Sequence, residues 1–265
     1  MSAAERWRDA LAAWAIPDDI LAAAPAAPWT FEPALFARRA DQVLDEPETA
    51  SQRRAREVLP AGGSVLDVGC GGGAGSLPLV PPATLLTGVD DADGMLEAYA
   101  SAADRRGVAH REIPGTWPHV AREVDAADVV VCHNVLYNIG DLVPFVAALT
   151  DHARRRVVVE IGTTHPLSNL NPLWEALHGL KRPDAPTSDD ALAVLEELGL
   201  DVGHEEFERP WTMWGPDRSA TVAMTRRRLC VGPERDAEIE AQLDKIAAYT
   251  PVRRSVALWW DGTAA

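Results

Sequence analysis

The hydrophobic rhythm of the chain changes near residue 62. Before that point apolar side chains recur every three to four positions, as at Trp7, Leu11 and Trp14, which is the spacing of one helix face. After it, short β-branched runs alternate with helical stretches, beginning with SVLDV at 64–68. The pattern predicts a helical N-terminal cap over residues 1–60 and an α/β domain over residues 61–265.

Seven short apolar runs of the second region are predicted as strands. The first five alternate with helical stretches, which is typical of right-handed βαβ units and of parallel strands covered on both faces. The predicted strands lie near 64–69, 84–90, 108–113, 127–134, 155–162, 200–209 and 253–262. We therefore expect a doubly wound, mostly parallel seven-stranded sheet. Two less regular segments, 163–185 and 211–250, are expected as helical insertions.

The first predicted strand runs directly into a glycine cluster, VLDVGCGGGAG at 65–75. Glycine gives up more backbone entropy on folding than other residues, so such a cluster needs a reason. In an open α/β sheet, ligands bind beyond the carboxyl ends of the strands, beside the first strand. A turn without side chains there allows a ligand to approach the backbone N–H groups. The glycines therefore predict a ligand site.

An acid inside the strand distinguishes this turn from a dinucleotide fingerprint. Asp67, Gly69, Gly71 and Gly73 fall at every second position. This D-x-G-x-G-x-G pattern resembles the first motif of class I S-adenosylmethionine-dependent methyltransferases. A buried acid suits a ligand with a free ammonium group, as S-adenosylmethionine has, and is poorly placed beside a pyrophosphate. The resemblance covers roughly residues 60–165 and implies a Rossmann-like sheet whose last strand is antiparallel.

Further positions extend the resemblance along the sheet edge. The second strand ends in GVDDADGML, where Asp90 is implied to hold the ribose and Met95 to pack on adenine. The family usually has an acid or amide after the third strand, whereas this chain has Gly115-Thr116-Trp117. Thr116 or a main-chain carbonyl is expected to replace it, and Trp117 to stack. The expected cofactor-binding residues are Asp67, Gly69, Cys70, Gly71, Gly73, Asp90, Asp91, Met95, Thr116, Trp117 and His133.

The implied reaction is transfer of an activated methyl group to an O, N or C nucleophile of a small molecule. The protein mainly aligns donor and acceptor, and a general base is needed only if the acceptor loses a proton. His133 and His165 are the candidate catalytic residues. The loop after the fifth strand, at 162–183, mixes polar and aromatic groups where a substrate pocket belongs. The candidate acceptor-binding residues are Tyr137, Asn138, His165, Asn169, Asn171, Trp174 and His178, and Trp211 and Trp214 are further candidates.

Two alternatives remain open at this stage. One is a nicotinamide-dependent oxidoreductase, which Asp67 disfavours. The other is a protein that binds S-adenosylmethionine without catalysis, because the third motif is altered. The sequence contains no N/D-P-P-Y/F tetrapeptide of base methylation, no Asp…Asp-Asn set for metal-dependent catechol chemistry and no Pro-Cys pair. No metal site is expected.

Composition limits the partners. The net charge of −15 disfavours a nucleic-acid binder, which needs a basic face. Three widely spaced cysteines indicate no disulfide framework, and we expect a reducing cytoplasm. The sequence predicts no signal peptide and no membrane span. Abundant alanine and arginine indicate a bacterial source, and the protein is expected to be a monomer or homodimer.

Overall fold

The computed structural model describes residues 1–29, 33–210, 217–249 and 252–264. From residue 64 onward its strands are interleaved with helical segments, as the sequence predicts, although only 3₁₀ turns join β1 to β2 and β3 to β4, and two α-helices follow each of β5 and β6. The helices are α1 (Ala3–Ala12), α2 (Asp18–Ala23), α3 (Pro33–Gln42), α4 (Ala50–Arg56), α5 (Asp93–Arg106), α6 (Leu142–His152), α7 (Asn171–His178), α8 (Ser188–Glu197), α9 (Arg218–Arg228) and α10 (Asp236–Tyr249). The strands are β1 (Ser64–Val68), β2 (Leu85–Asp90), β3 (Ala109–Pro114), β4 (Ala127–His133), β5 (Ala153–Gly162), β6 (Gly203–Pro210) and β7 (Val252–Asp261).

The seven strands form one sheet in the order β3-β2-β1-β4-β5-β7-β6. Strands β1 to β5 are parallel, and β7 runs antiparallel between β5 and β6. The predicted fold class, including the antiparallel last strand, is confirmed. The strand order reverses at β1, so β1 lies between β2 and β4 and its carboxyl end faces the crevice where ligands of such sheets bind.

Helices cover both faces of the sheet. On one face, α1, α6 and α8 build a core with side chains such as Trp7, Phe145 and Trp260. On the other face, α3, α4 and α5 pack over Val131, Val158 and their neighbours. A third cluster joins α7, α9 and α10 around Trp174. The whole side chain of Trp7 is buried and its indole N–H donates to Ile139 O at 2.8 Å.

The helices of residues 1–60 pack against different parts of the α/β domain. Helix α1 belongs to the first core, whereas α3 and α4 belong to the second. Helix α4 begins at Ala50, after the acidic, proline-containing stretch EPET at 46–49. Thr49 caps it through reciprocal bonds with Gln52, because a threonine side chain can accept from the free N–H groups of a first turn. The boundary at residue 60 stays a prediction.

Candidate functional site

The turn after β1 is built from backbone conformations that favour glycine. Gly69, Gly71 and Gly73 have φ values of 70°, 50° and 92°, in the left-handed region that side chains disfavour. The N–H groups of Gly69 and Cys70 both donate to Val89 O, at 2.8 and 3.0 Å, which ties the turn to the end of β2. A Cβ on Gly69 would lie 2.5 Å from Val135 Cγ2. Gly69 is therefore required by both conformation and space.

Helix α3 covers the middle of this turn. A Cβ on Gly72 would lie 2.6 Å from Phe36 O, and one on Gly71 would lie 3.1 Å from the Phe36 ring. A Cβ on Gly73 would lie 2.8 Å from Leu77 Cδ1. The missing side chains of these glycines leave room for Phe36 of α3 and for Leu77, as well as for a ligand. The sequence alone does not reveal that second reason for them.

Asp67 lies buried beneath the turn, with 1% of its surface exposed. Its carboxylate accepts a hydrogen bond from Ser76 Oγ at 2.7 Å. Burial raises the pKa of Asp67 to about 7, although the Ser76 bond opposes the rise. Both carboxylate oxygens lie 3.2 Å, and His133 Nδ1 3.3 Å, from the place where Gly75 lacks a Cβ. Asp67 and His133 thus converge on Gly75.

Asp90, at the end of β2, connects that strand to the glycine turn. It accepts hydrogen bonds from the N–H groups of Gly71 and Ala92, at 2.9 and 3.1 Å. Burial, as the largest cause, raises the pKa of Asp90. Asp91 beside it is exposed, whereas Met95 is buried on α5. The turn and the acid expected at the ribose are therefore held together.

The residues after β3 lie in two different environments, with Thr116 exposed at the sheet edge and Trp117 buried in the core. Gly115 N donates to Asp90 O at 2.9 Å, which places the exposed Thr116 next to the end of β2. Trp117 points into the core, where its indole N–H donates to Phe145 O at 3.3 Å and its ring packs edge-on against His152. Stacking on a ligand would require Trp117 to leave this position. The side chain of Cys70 is also buried, and its thiol donates to Gly71 O within the turn at 3.7 Å.

Five charged or titratable side chains follow the carboxyl edge of the sheet. We call Asp67, His133, Glu160, Arg209 and Arg253 the edge row. Alternation along each strand and pairing between strands put them on one face. Asp67 pairs with Val131, two positions before His133, and His133 pairs with Glu160. Glu160 in turn pairs with Ala257, four positions after Arg253, and Arg253 pairs with Arg209.

Glu160 is the buried centre of the edge row, with 2% of its surface exposed. It accepts a hydrogen bond from Ser51 Oγ at 2.9 Å, and Arg209 Nη2 lies 2.9 Å from its Oε1. Burial alone raises its pKa, but Arg209, His133 and Ser51 together outweigh burial, so the pKa of Glu160 is lowered. Glu160 is therefore ionised at neutral pH.

The two candidate catalytic histidines have different environments. Burial lowers the pKa of His133, although Glu160 opposes it, and His133 Nε2 is buried with no hydrogen-bond partner in the described chain. His165 is stacked on Trp14 with ring centroids 3.7 Å apart, and its Nδ1 accepts from Leu167 N at 3.3 Å. Burial lowers the pKa of His165 to about 4. His165 is thus a neutral, packed side chain.

The structure brings only some of the expected acceptor-binding residues together. His165 and Asn169 line a cleft of about 170 Å³ beyond β5, and the Tyr137 hydroxyl donates to Gly162 O at 2.8 Å behind it. Trp174 and His178 belong instead to the third cluster, where His178 Nε2 bonds Leu229 O at 2.7 Å.

Two further predicted residues, Asn171 and Asn138, are not among the described residues that line this cleft. Asn171 donates to Pro183 O, and Asn138 is exposed in a short turn after β4. Trp211 and Trp214 lie outside the described residues, as does the whole of 211–216.

Sequence reasoning missed Ser51, Ser76, Arg209 and Arg253. All four meet the edge row or belong to it. The one available signal was the arginine at the start of the predicted last strand, RRSVALWW. It has meaning only once β7 is known to lie beside β5.

A family model described as "Methyltransferase domain" matches residues 65–156, from β1 into β5. Residues 65–156 therefore match a methyltransferase domain. The resemblance drawn from the glycine motif is confirmed.

The curated relatives match this methyltransferase domain over a similar stretch. The ubiquinone biosynthesis O-methyltransferase of Azorhizobium caulinodans is 36% identical over 89 residues, which cover 33% of this chain and 35% of that protein. The protein of the same name from Rickettsia akari is 27% identical over 99 residues, which cover 37% and 39%. The chain thus spans little more than a third of the length of the curated relatives it matches.

Solved structures share the fold over most of the chain. The YcgJ protein of Bacillus subtilis superposes with a TM-score of 0.55 at 17% identity, covering 85% of this chain and all of that one. A methyltransferase of Thiobacillus denitrificans, in complex with S-adenosyl-L-homocysteine, superposes with a TM-score of 0.50 at 22% identity, covering 94% and 99%. At this identity the likeness shows the fold of the methyltransferase domain.

Among the described residues, no helix is long and apolar enough to cross a membrane, and no three His, Cys, Asp or Glu side chains are grouped as metal ligands would be.

Proposed function

We propose that this protein transfers a methyl group from S-adenosylmethionine to a small-molecule acceptor. The observation that carries the proposal is the buried carboxyl group of Asp67 beneath the glycine turn. Burial raises its pKa, and no positively charged side chain of the described residues is among the groups that oppose the rise. A ligand with an ammonium group would supply that charge.

The chain's residues fit the rest of such a donor. The carboxylate of Asp90 is available to ribose hydroxyls at the end of β2, and it is already oriented by Gly71 N–H. We assign the adenine contact to Met95 and to Thr116 with its backbone, and we assign Asp91 to the exposed rim of the donor site. In this assignment Trp117 packs in the core behind the adenine position. A pyrophosphate would meet the buried Asp67 with like charge, which disfavours a nicotinamide cofactor.

The donor supplies a methyl group already activated by a positive sulfur, so the protein's task is alignment and exclusion of water. His133 lies at the end of β4, where its Nδ1 and the Asp67 carboxylate both approach Gly75. Its lowered pKa leaves the imidazole neutral at pH 7 and able to accept a proton. We therefore assign His133, rather than the packed His165, as the base when the acceptor must lose a proton. The methylated atom, O, N or C, is open.

Titration calorimetry tests this function with S-adenosylmethionine, S-adenosylhomocysteine and NADH as ligands. We expect micromolar binding of both sulfur ligands and none of NADH. Asp90→Ala should weaken that binding by about 10- to 100-fold, because charged hydrogen bonds contribute roughly 1.5–3 kcal/mol. Glu97→Gln, an exposed change on α5, is the matched control. Folded native protein that binds neither sulfur ligand would refute the proposal.

We place the protein in a reducing cytoplasm, as a monomer or homodimer. The support for the reducing compartment is that Cys70, Cys132 and Cys230 are all free and buried. Neither nucleic acid nor a membrane is proposed as a partner.

A further inference from the structure

Two arginines face each other at the carboxyl edge of the sheet. Arg209, near the end of β6, pairs directly with Arg253, near the start of β7. Directly opposite residues of an antiparallel pair point to the same face, and like charges in this arrangement are destabilising. The fold therefore tolerates a repulsion here that a single substitution would remove.

Among the described residues, Glu160 is the one carboxylate within 4.0 Å of either guanidinium group. Glu46 also attracts Arg209, but its own charge is balanced by its ion pair with Arg39. Arg209 lies 2.9 Å from Glu160, whereas Arg253 Nη2 donates to the neutral Asn134 Oδ1 at 2.6 Å. Within the described chain no carboxylate lies within 4.0 Å of Arg253. Burial, and then the charge of Arg209, lower the pKa of Arg253 to about 10, which leaves it charged at neutral pH. One positive charge is thus uncompensated in a chain whose net charge is −15.

The neighbouring arginines show the contrast. Arg39 is paired with Glu46, and Arg254, next to Arg253 in sequence, is paired with Glu206 and approaches Glu208 at 3.9 Å. Arg254 points to the opposite face of β7, since side chains alternate along a strand. Acids on β6 therefore pair with Arg254. Arg253, the residue before it on β7, has no such pair in the described chain.

Gly162 allows the Arg253 side chain to lie across the end of β5. A Cβ at this position would lie 3.2 Å from Arg253 Nη2 and 3.1 Å from Thr164 O. The guanidinium thereby reaches from β7 to Asn134, the residue after His133. Arg253 also lines the cleft beyond β5, together with His165 and Asn169. It therefore lies between that cleft and the proposed base.

We propose that Arg253, supported by Arg209, binds a carboxylate of the methyl acceptor. This rests on the proposed function and names the class of its substrate. A carboxylate carries one negative charge, equal to the uncompensated charge of the pair, and its two oxygens match the planar fork of a guanidinium. The stacked rings of Trp14 and His165 form an aromatic wall beside the cleft, which suits an aromatic acid.

The test uses benzoate as the probe, titrated calorimetrically into protein saturated with S-adenosylhomocysteine. We expect benzoate to bind and benzamide, its uncharged analogue, to bind at least about tenfold more weakly. Arg253→Gln should weaken benzoate binding by about tenfold or more, whereas Arg111→Gln, on β3 and not among the residues that line the cleft, should change it by less than about twofold. Gly162→Ala keeps both charges but displaces the guanidinium, so it should also weaken benzoate binding. That variant keeps the test valid if Arg253→Gln fails to fold.

Equal binding of benzoate and benzamide, equal binding to native protein and Arg253→Gln, or no benzoate binding at all would overturn the proposal. Tighter binding of phenylphosphonate than of benzoate would assign the site to a doubly charged oxyanion and overturn the carboxylate. S-adenosylhomocysteine affinity is measured in the same experiments. If native protein does not bind S-adenosylhomocysteine, the proposed function is refuted. If it does bind, any of the contrary results with benzoate, benzamide or phenylphosphonate refutes only the carboxylate site.

Discussion

The buried Asp67 predicts that binding of the donor depends on pH with a definite sign. In the free protein its pKa is about 7, against an ordinary value of 3.8. The folded chain therefore holds a proton that the unfolded chain releases, and the free energy of unfolding falls as pH rises between these two values. The difference amounts to about 4 kcal/mol at 1.36 kcal/mol per pKa unit.

Binding of a ligand with an ammonium group stabilises the ionised carboxylate and so offsets the free energy needed to ionise the buried Asp67. Its affinity should rise in proportion to the ionised fraction of Asp67, which grows from about 3% at pH 5.5 to about 50% at pH 7 if the pKa is 7. The predicted gain is about 15-fold, or about 1.6 kcal/mol, over this interval. Near pH 7 the binding should release about half a proton per site.

Calorimetry with S-adenosylhomocysteine in two buffers of different ionisation enthalpy measures both the affinity and the proton release. Asp67→Asn is the matched variant, since its amide oxygen can still accept from Ser76 and its charge cannot change. Its affinity should be nearly constant from pH 5.5 to 7. Asp90→Asn identifies any share that comes from Asp90, whose pKa is also raised. A native affinity independent of pH, or proton uptake instead of release, would refute the reasoning.

Three predictions concern stability and are measured by urea unfolding. Trp7→Ala should cost about 3–5 kcal/mol, because the side chain is fully buried between α1 and the sheet. A loss below about 1 kcal/mol would show that α1 is not part of the core. Gly69→Ala should cost more than about 2 kcal/mol and Gly107→Ala about 1 kcal/mol, since both have positive φ but only Gly69 lacks space for a Cβ. Equal losses would contradict the contact with Val135. Glu160→Gln should cost about 3 kcal/mol, because it removes the carboxylate that is paired with the largely buried Arg209, and an unchanged midpoint would show that the pair is dispensable.

The position of α3 gives the glycine turn a second role in the architecture. The turn is where a ligand approaches the backbone, yet Gly71 and Gly72 also accommodate Phe36. Replacing either glycine therefore perturbs the packing of α3 as well as a bound donor. Binding data on such variants need a measurement of unfolding beside them.

The sequence by itself determined the fold class and the donor side of the site. Strand–helix alternation is a local property of hydrophobic spacing, and a parallel sheet follows from it through the handedness of βαβ units. Asp67 and the glycines lie within one short segment, and Asp90 ends the next strand. Their proximity thus needs only adjacent strands, which chain order supplies.

Only the tertiary structure decided the acceptor side. Arg253 meets Asn134 because β7 runs antiparallel beside β5, and Glu160 meets Ser51 because α4 folds over the same face. These contacts join residues more than 100 positions apart in sequence, so no local pattern encodes them. Trp117 and His165 show the same limit, since both follow strands as site residues do, yet packing against Phe145 and Trp14 fixes where their rings lie. Hydrophobic spacing fixes which elements form, whereas the side chains that meet at one edge depend on how those elements pack.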